Sequence, residues 1–555
     1  MLDEQRPPSG AEPVLSGTQA RPADLPAILL AAPRVKPRAR LRVALRAKRW
    51  PAGVYRDPVT WVIALAVFGA YTAVSLFRLI QLNPTSWDLG IYTEYVKRYA
   101  DLQAPVVDIR AAGFDLLGDH FQPIVAVLAP FFRVFPSPAT LLVAQALLAA
   151  LSVFGVSQAA REKLGVGPGR AIAVAYGFSW GLQQMIEFDF HEIAFAVALL
   201  AFSLSALVRG RIRAATWWAL PLVFVKEDQG FTVAAIGLYL IIASLRARDA
   251  ATGPENTAGQ ENPAGQENTD GRARAGLFLL IWGFAWSFLA IGVIIPHFNP
   301  AHIYDYWSDG GVLAPGGHLS VPGLVRQLLH AWPEKLETIV LLLLPTAFVA
   351  LRSPLALIAV PSLLLRFLST DSSFWGTIWH YNATVMPVFF IAAVDALVRI
   401  QAAMAGEPVG FVTWPSGHRG LWRAALAGAQ RYGVAMMVAV AVALAFQFPL
   451  SNLWNAQNYQ ISPHIEAARA AMAKVPDGAT VLTTLDLLAP LAARTDTFWI
   501  GGSGNPETQY IVFDGRDSNY SPAITNVPAF VAQLYPGHAY TQIFESGDVY
   551  VFRHK

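Results

Sequence analysis

Residues 187–213 read EFDFHEIAFAVALLAFSLSALVRGRIR, which is an acidic start, a long apolar run and an arginine-rich end. The apolar part, 193–208, is close to the length that crosses a hydrocarbon core as a helix. Lysine and arginine collect in the cytoplasmic loops of membrane proteins. The stretch therefore predicts a membrane helix whose loop with Arg209, Arg211 and Arg213 faces the cytoplasm and whose acidic end faces outward.

The composition of the whole chain agrees with a membrane protein. Of 555 residues, 54% are hydrophobic and only 14% are charged, whereas soluble domains carry about 25% charge. This excludes an ordinary cytosolic enzyme and a disordered protein. The 41 basic and 38 acidic residues leave a net charge of +3, which argues against a nucleic-acid partner. Cysteine is absent, so a disulfide framework, a thiolate metal site and a cysteine nucleophile are excluded.

Similar apolar runs recur along the chain and predict about eleven transmembrane helices. The shorter ones need tilting or partial burial, and the charged triplet 226–228 interrupts one region. The predicted spans lie near 60–80, 138–158, 170–186, 193–208, 214–226, 229–245, 275–295, 336–351, 354–369, 381–399 and 432–450.

The basic residues also predict the direction of the chain. KPRARLRVALRAKRW, residues 36–50, precedes the first span, so we expect 1–50 to be a disordered basic tail in the cytoplasm. Residues 246–274 contain AGQEN twice and are expected to be a flexible cytoplasmic loop. Every second loop between the predicted spans is likewise rich in lysine and arginine. Eleven spans then leave the C-terminus outside.

These signals divide the chain into a tail, a membrane domain and an outer domain. The membrane domain covers 55–450, with a long outer loop at 81–137. Residues 451–555 alternate strand-like and helix-like segments, which predicts a small extracytoplasmic α/β domain. We find no metal or phosphate motif in that domain. We expect it to cap the membrane site or to contact an acceptor.

Placing an ionisable side chain at membrane depth costs free energy, so its presence there calls for a structural or functional explanation. In SWDLGIYTEY, Asp88 either caps a surface helix at 89–102 or acts as a general base or metal ligand. In GDHFQP, one interpretation is that Asp119 caps the next apolar segment and His120 lies at the level of the lipid headgroups. The other is that the two residues together bind a divalent ion or a phosphate-bearing lipid.

Two further clusters follow along the chain. EFDFHEIAF places four titratable groups within six residues, and FVKEDQGF places three adjacent charges before a span. The second cluster is either a buried ion pair or a phosphate site in which Lys226 binds the anion. The residues concerned are Glu187, Asp189, His191, Glu192, Lys226, Glu227 and Asp228.

Aromatic residues supply weaker candidates. His380 and Tyr381, in WGTIWHYNATVMP, fit an interfacial belt or a substrate site. Tyr304, Tyr306 and Trp307, in an outer loop, could stack on a sugar ring or form an aromatic rim.

The predicted topology brings all these clusters to the outer ends of helices. That distribution favours a site at the outer membrane surface over a proton or ion pathway, which would place acids mid-span. A transporter or flippase and a non-catalytic scaffold remain as alternatives. One outer cavity joining Asp88, Asp119, Asp189 and Lys226 would favour an enzyme, whereas a central channel would favour transport.

Five ordered stretches resemble a family of bacterial predicted membrane proteins known as DUF2079. They span about 85–390 and read SWDLGIY, GDHFQPIVAVLAPFF, FDFHEIAFAVALLAF, VKEDQGF and WHYNATVMP. That family in turn resembles the GT-C glycosyltransferases. The resemblance implies a polytopic α-helical, GT-C-like protein of the bacterial plasma membrane. It also implies transfer of a sugar from a polyprenyl-phosphate donor to a cell-envelope glycan, lipid or protein on the outer face.

The resemblance also implies roles for residues. Asp88 matches the essential aspartate of the first outer loop, and Asp119 falls between two expected surface helices at 89–102 and 121–135, so both are expected to be catalytic. Asp119 and Asp189 are expected to hold any divalent cation, Mg²⁺ or Mn²⁺. The expected substrate-binding residues are His120, Asp189, His191, Glu192, Lys226, Glu227, Asp228, His380 and Tyr381. The paired-acid signature of GT-C enzymes is not recognisable.

Overall fold

The computed structural model of the chain describes residues 54–252, 263–307, 320–405, 419–517 and 524–555. All of them belong to one unit of the chain, 52–555. The predicted tail at 1–50 and residues 253–262 of the predicted flexible loop lie outside the described residues.

Helices dominate the membrane domain, as predicted. Those in the first half are α1 (Pro58–Ile80), α2 (Asp88–Ala100), α3 (Ala129–Val134), α4 (Pro138–Leu164), α5 (Val166–Gly177), α6 (Trp180–Glu187), α7 (Ile193–Val208), α8 (Ile212–Ala219) and α9 (Gln229–Thr252). Those in the second half are α10 (Pro263–Leu289), α11 (Ile295–Phe298), α12 (Val321–Leu329), α13 (Trp332–Leu343), α14 (Val360–Leu368), α15 (Ser372–Trp375), α16 (Val385–Met404) and α17 (Arg419–Ala445).

Among the described residues, six helical segments are long and apolar enough to cross a membrane, so the predicted count of eleven is not confirmed. Four shorter apolar segments coincide with other predicted spans or with the outer loop: Pro123–Val134, Ile193–Val208, Ile212–Phe224 and Pro354–Leu368. The six long segments are Pro58–Ile80, Pro138–Leu164, Gln229–Asp249, Thr269–Phe298, Val385–Met404 and Ala424–Ala445.

Two predicted spans are broken in the structure. The run at 170–186 divides into α5 and α6, because Ser179 adopts an extended conformation between them. The run at 336–351 ends as an α-helix at Leu343, and Ala347 and Phe348 then adopt positive φ angles. Apolar periodicity does not reveal such breaks, since both halves of a broken helix remain apolar.

The core of the membrane domain lies around α4 and α16. Their apolar segments are 61% and 72% buried, whereas only 22% of the segment in α17 is buried. Gly155 lets α4 approach α7 closely, because a Cβ atom there would lie 2.8 Å from the backbone of Ala201. The predicted span at 193–208 is therefore an inner helix of the bundle.

The C-terminal segment forms the predicted α/β domain. Its helices are α18 (Pro463–Met472), α19 (Leu485–Ala492) and α20 (Val527–Leu534), and its strands are β1 (Thr480–Thr483), β2 (Asp496–Trp499), β3 (Tyr510–Asp514), β4 (Tyr540–Ser546) and β5 (Val549–His554). The sheet order is β2-β1-β3-β5-β4. β1 runs parallel to β2 and β3, and β5 runs antiparallel to β3 and β4.

Helix α2 packs between the membrane domain and the C-terminal α/β domain, which we call the outer domain after its predicted side of the membrane. We expected it to lie along the membrane surface with one apolar side, but eight consecutive residues, 89–96, are buried. One side packs on α19, where a Cβ atom at Gly90 would lie 3.1 Å from Leu488 Cβ. Lys97 Nζ donates to Thr495 O at 2.5 Å. The outer domain therefore covers one side of α2.

Candidate functional site

A cavity of about 120 Å³ lies beside the first turns of α7, α9 and α16. Its apolar walls come from Ile193, Phe231, Ile291, Leu365 and Phe374. Its polar end is formed by His120, Lys226, Glu227, Asp228, Tyr304, Tyr306, Arg366 and Tyr381. Apart from Arg366, all of these polar residues were singled out from the sequence.

Glu192 holds Lys226 at the polar end of the cavity. The Glu192 side chain is fully buried, and its Oε1 lies 3.4 Å from Lys226 Nζ. Its Oε2 accepts the Tyr92 hydroxyl and pairs with His191 Nδ1. Glu192 immediately precedes α7, where the helix dipole favours a negative charge. The buried acid thus keeps a cation facing the cavity.

Glu227 joins the loop at His120 to the loop at Tyr304 beside the cavity. Its Oε1 is 2.8 Å from His120 Nδ1 and accepts the Tyr304 hydroxyl at 2.9 Å. Its Oε2 accepts the Phe121 amide at 3.1 Å. Both carboxylate oxygens are therefore occupied. In this arrangement Glu227 positions His120 and Tyr304, which line the cavity.

Asp119 reaches the cavity through Tyr306. The Tyr306 hydroxyl donates to Asp119 Oδ1 at 3.2 Å, and Arg110 Nε lies 3.5 Å from Oδ2. The Tyr306 ring stacks on His120 at 4.4 Å between centroids. Asp119 thus orients an aromatic wall of the cavity.

Asp88 is the first residue of α2 and is partly buried. At the start of this helix Ser86 Oγ accepts the Asp88 amide at 3.0 Å and the N-cap position is Trp87, so Asp88 does not have the predicted capping role. Burial raises the pKa of Asp88, and the nearby charges of His191 and Lys226 oppose the rise. Asp88 does not line the cavity itself, and of the four residues that one cavity was expected to join, only Lys226 lines this one.

Asp189 supports the loop that leads to Asp88. Its Oδ2 accepts the Thr85 amide at 2.7 Å, its Oδ1 lies 3.8 Å from Arg78 Nε, and its φ is +73°. Burial raises the pKa of Asp189 to about 6. Asp189 lines a separate, smaller cavity together with Asp486 of the outer domain. Its contacts indicate a positioning role.

His191 and His380 form a buried stack behind the cavity. Their ring centroids are 3.7 Å apart, and His380 is 1% exposed. The His191 amide donates to Gln145 Oε1 at 2.9 Å. Tyr381, next in the chain, lines the cavity itself. Of the predicted His-Tyr pair, it is the tyrosine that faces the open space.

Arg366 is a cavity residue that the sequence analysis missed. It is 6% exposed and donates to Phe374 O, Tyr381 O and Asn382 Oδ1 at 2.6, 3.2 and 2.8 Å. A lone arginine within the apolar run 354–369 was the signal that could have found it, because a charge inside a span needs a reason.

The expected metal ligands do not form a common donor set. In the part of the chain that the structure describes, Asp119 pairs with Arg110 and Tyr306, whereas Asp189 pairs with Arg78 and Thr85. A divalent cation needs several oxygen ligands around one point. These two carboxylates therefore do not fit a shared Mg²⁺ or Mn²⁺ site, and we assign no chemical step to a metal.

A family match covers most of this chain. Residues 78–526 match the family described as predicted membrane protein DUF2079. The chain belongs to that family. The resemblance predicted from five short stretches is thereby confirmed, and this DUF2079 protein is a multi-pass helical membrane protein.

Solved structures of GT-C glycosyltransferases are similar to this DUF2079 protein over much of their length. ArnT from Cupriavidus metallidurans bound to undecaprenyl phosphate is 15% identical, with a TM-score of 0.46, covering 88% of this chain and 97% of its own. The apo form of the same ArnT is 15% identical, with a TM-score of 0.47, and the alignment covers 88% of this chain and 97% of ArnT. The Archaeoglobus fulgidus oligosaccharyltransferase complex with Zn and sulfate is 13% identical, with a TM-score of 0.37. That alignment covers 88% of this chain and 72% of the oligosaccharyltransferase. No curated protein matches the chain.

Proposed function

We propose that this DUF2079 protein is a membrane glycosyltransferase that moves a sugar from a polyprenyl-phosphate donor to an acceptor on the outer face of the bacterial plasma membrane. One observation carries the proposal: a cavity combines an apolar wall with a cationic end at which Lys226 and Arg366 lie. A polyprenyl-phosphate sugar combines a long apolar chain with an anionic phosphate, so its two parts match the two parts of the cavity.

The donor lipid would lie along Phe231, Ile291 and Leu365, with its phosphate between Lys226 and Arg366. Arginine offers a planar fork of donors to phosphate, and lysine offers a compact charge. Both cations are already held by protein acceptors, Glu192 for Lys226 and three oxygens for Arg366. Such preorganisation favours stabilisation of the charge that develops on the leaving phosphate.

Asp88 would act as the general base. It would take the proton of the acceptor hydroxyl while that oxygen attacks the anomeric carbon and the bond from this carbon to the phosphate oxygen breaks. The attack inverts the anomeric centre and releases polyprenyl phosphate. Burial raises the pKa of Asp88, which brings the base closer to the operating pH and improves proton transfer.

The remaining predicted residues would position the substrate or these groups. His120, Tyr381 and Tyr306 line the cavity and suit contacts with the sugar or the phosphate. Asp119, which we first expected to be catalytic, would act through Tyr306. Asp189 would act through the loop at Thr85.

The acceptor would be a cell-envelope glycan, lipid or protein. Because α2 carries Asp88 at its first residue and packs on α19 of the outer domain, the outer domain is well situated to guide an acceptor toward the base. This proposal requires the N-terminus to be cytoplasmic and the outer domain to be extracytoplasmic.

Replacing the proposed base tests this function. We expect Asp88→Asn to lower transfer by about 10²–10⁴-fold, the contribution typical of a general base, while the purified protein still binds undecaprenyl phosphate. The measurement is release of undecaprenyl phosphate from undecaprenyl-phosphate hexoses by the protein in nanodiscs, with a cell-envelope extract as acceptor.

Asp101→Asn is the matched control, because Asp101 is exposed directly after α2 and its replacement should leave transfer unchanged. Full activity in Asp88→Asn would remove Asp88 from the role of base. Movement of the lipid across the bilayer without release of undecaprenyl phosphate would instead favour a flippase.

A further inference from the structure

The outer domain contains a group of three metal-ligating side chains that is separate from the cavity: Glu507, His538 and His554. One ligand atom from each lies within 4.8 Å of the others. Glu507 Oε1 is 2.7 Å from His538 Nδ1 and also contacts His554 Nε2. Two imidazole nitrogens thus converge on one carboxylate oxygen.

The three residues come from distant parts of the chain that the fold ties together. Glu507 precedes β3, His538 lies in the turn before β4, and His554 ends β5. The His554 amide donates to Gln509 O at 2.9 Å, and the Lys555 amide donates to Ala539 O at 3.0 Å. Backbone bonds therefore fix the relative positions of all three segments before any ion is present.

We propose that Glu507, His538 and His554 bind one divalent transition-metal ion of the zinc class. Zinc takes histidine nitrogens at about 2.0–2.1 Å and carboxylate oxygens at about 2.0–2.2 Å. Small side-chain rotations around the present convergence point would reach those distances. Two imidazoles with one carboxylate suit such an ion better than Mg²⁺ or Ca²⁺, which prefer oxygen ligands.

The exposure of the group supports an accessible site. The side chains of Glu507, His538 and His554 are 35%, 48% and 37% exposed, so an ion can enter and water can complete its coordination. The bound ion would clip the loop before β3, the turn before β4 and the end of β5 to one another. Its role would be to stabilise the outer domain, independently of the proposed transfer reaction.

Zinc binding by the whole chain tests this site. We expect the full-length protein, purified in detergent without a polyhistidine tag and stripped with a chelator, to bind one Zn²⁺ per chain in competition with a chromophoric indicator. Zn²⁺ should raise its melting temperature, whereas Mg²⁺ at the same concentration should not. Co²⁺ should give the ligand-field spectrum of a site with nitrogen ligands.

The matched variants are His538→Gln, His554→Gln and the control His464→Gln. His464 lies in the same domain and its Nε2 also pairs with a carboxylate, Asp514 Oδ2 at 2.8 Å, but it is outside the group. We expect the first two to lose Zn²⁺ affinity by more than about 10-fold, since even a second-shell change costs that much, and the control to retain it.

Circular dichroism checks that each variant is folded. Absence of Zn²⁺ binding or of the thermal shift in the unmodified chain would overturn the proposal, and this measurement needs no variant. Unchanged affinity in His538→Gln and His554→Gln would overturn it as well.

Discussion

At the scale of single residues, the site depends on buried charges that compensate one another. Glu192 is fully buried and is held by Lys226, Tyr92 and His191. Removing one partner of such a buried pair leaves an uncompensated charge and costs about 3–5 kcal/mol. Lys226 also lines the cavity. Its structural role as a partner of Glu192 and its proposed role in phosphate binding must therefore be separated by experiment.

A double variant separates them. We expect Lys226→Met to lower the free energy of unfolding by about 3 kcal/mol, the low end for a broken buried ion pair, because Glu192 keeps only Tyr92 and His191 as partners. We expect the same variant to weaken binding of undecaprenyl phosphate by about 10–100-fold, the value of one charged hydrogen bond. Lys226→Met combined with Glu192→Gln should recover most of the stability but not the affinity. Thermal unfolding in detergent and a lipid-binding assay measure the two effects.

Recovery of affinity in the double variant would contradict a direct role of Lys226 in phosphate binding. Glu192→Gln alone is the control for the loss of the acid.

Most of the charged residues at the site stand out in the sequence because buried charges are rare in spans. Arg366 was missed since it is a single charge in an apolar run, with no neighbouring polar residue to draw attention. Glu94 was missed for another reason. It lies in the polar-looking helix α2, yet it is buried, and burial raises its pKa to about 7. Its carboxylate accepts from Arg98 and from the Ile109 amide, and only the fold of the loop around Ile109 reveals that environment.

At the scale of elements, α9 and α10 pack closely through glycines. A Cβ atom at Gly237 would lie 2.5 Å from Gly276 O, and one at Gly276 would lie 2.7 Å from Gly237 O. Small residues let membrane helices approach in this way. Ser287 of α10 donates to Glu227 O at 2.6 Å, so this helix pair also supports the cavity.

Gly237→Ala tests this contact. The methyl group would meet backbone, which cannot rotate away, so we expect the free energy of unfolding to fall by about 1–3 kcal/mol, the usual cost of overpacking. Transfer activity should fall with it. Gly69→Ala in α1 is the matched control, because a Cβ atom there meets nothing within 4 Å. Equal melting temperatures for the two variants in detergent would contradict the close contact.

At the scale of the whole molecule, the proposed function requires Asp88 and the outer domain to be outside the cytoplasm. The chain has no cysteine, so single-cysteine variants report position without background. We expect Asp101→Cys to react with a membrane-impermeant maleimide in spheroplasts, and Arg213→Cys to react only after permeabilisation. Both positions are exposed. The reverse labelling pattern would place the cavity on the cytoplasmic side and contradict the proposal.

The sequence by itself determined that this is a helical membrane protein of the DUF2079 family with a small C-terminal α/β domain, because apolar periodicity and short ordered motifs are local properties of the chain. It also indicated Asp88, His120 and Lys226 as site residues, since the cost of a charge in lipid depends on its immediate neighbours. Only the tertiary structure decided which carboxylates line the cavity and which contact other residues instead. It also decided that α2 is enclosed and that Glu507, His538 and His554 meet. These outcomes depend on contacts between segments far apart in sequence, which no local pattern encodes.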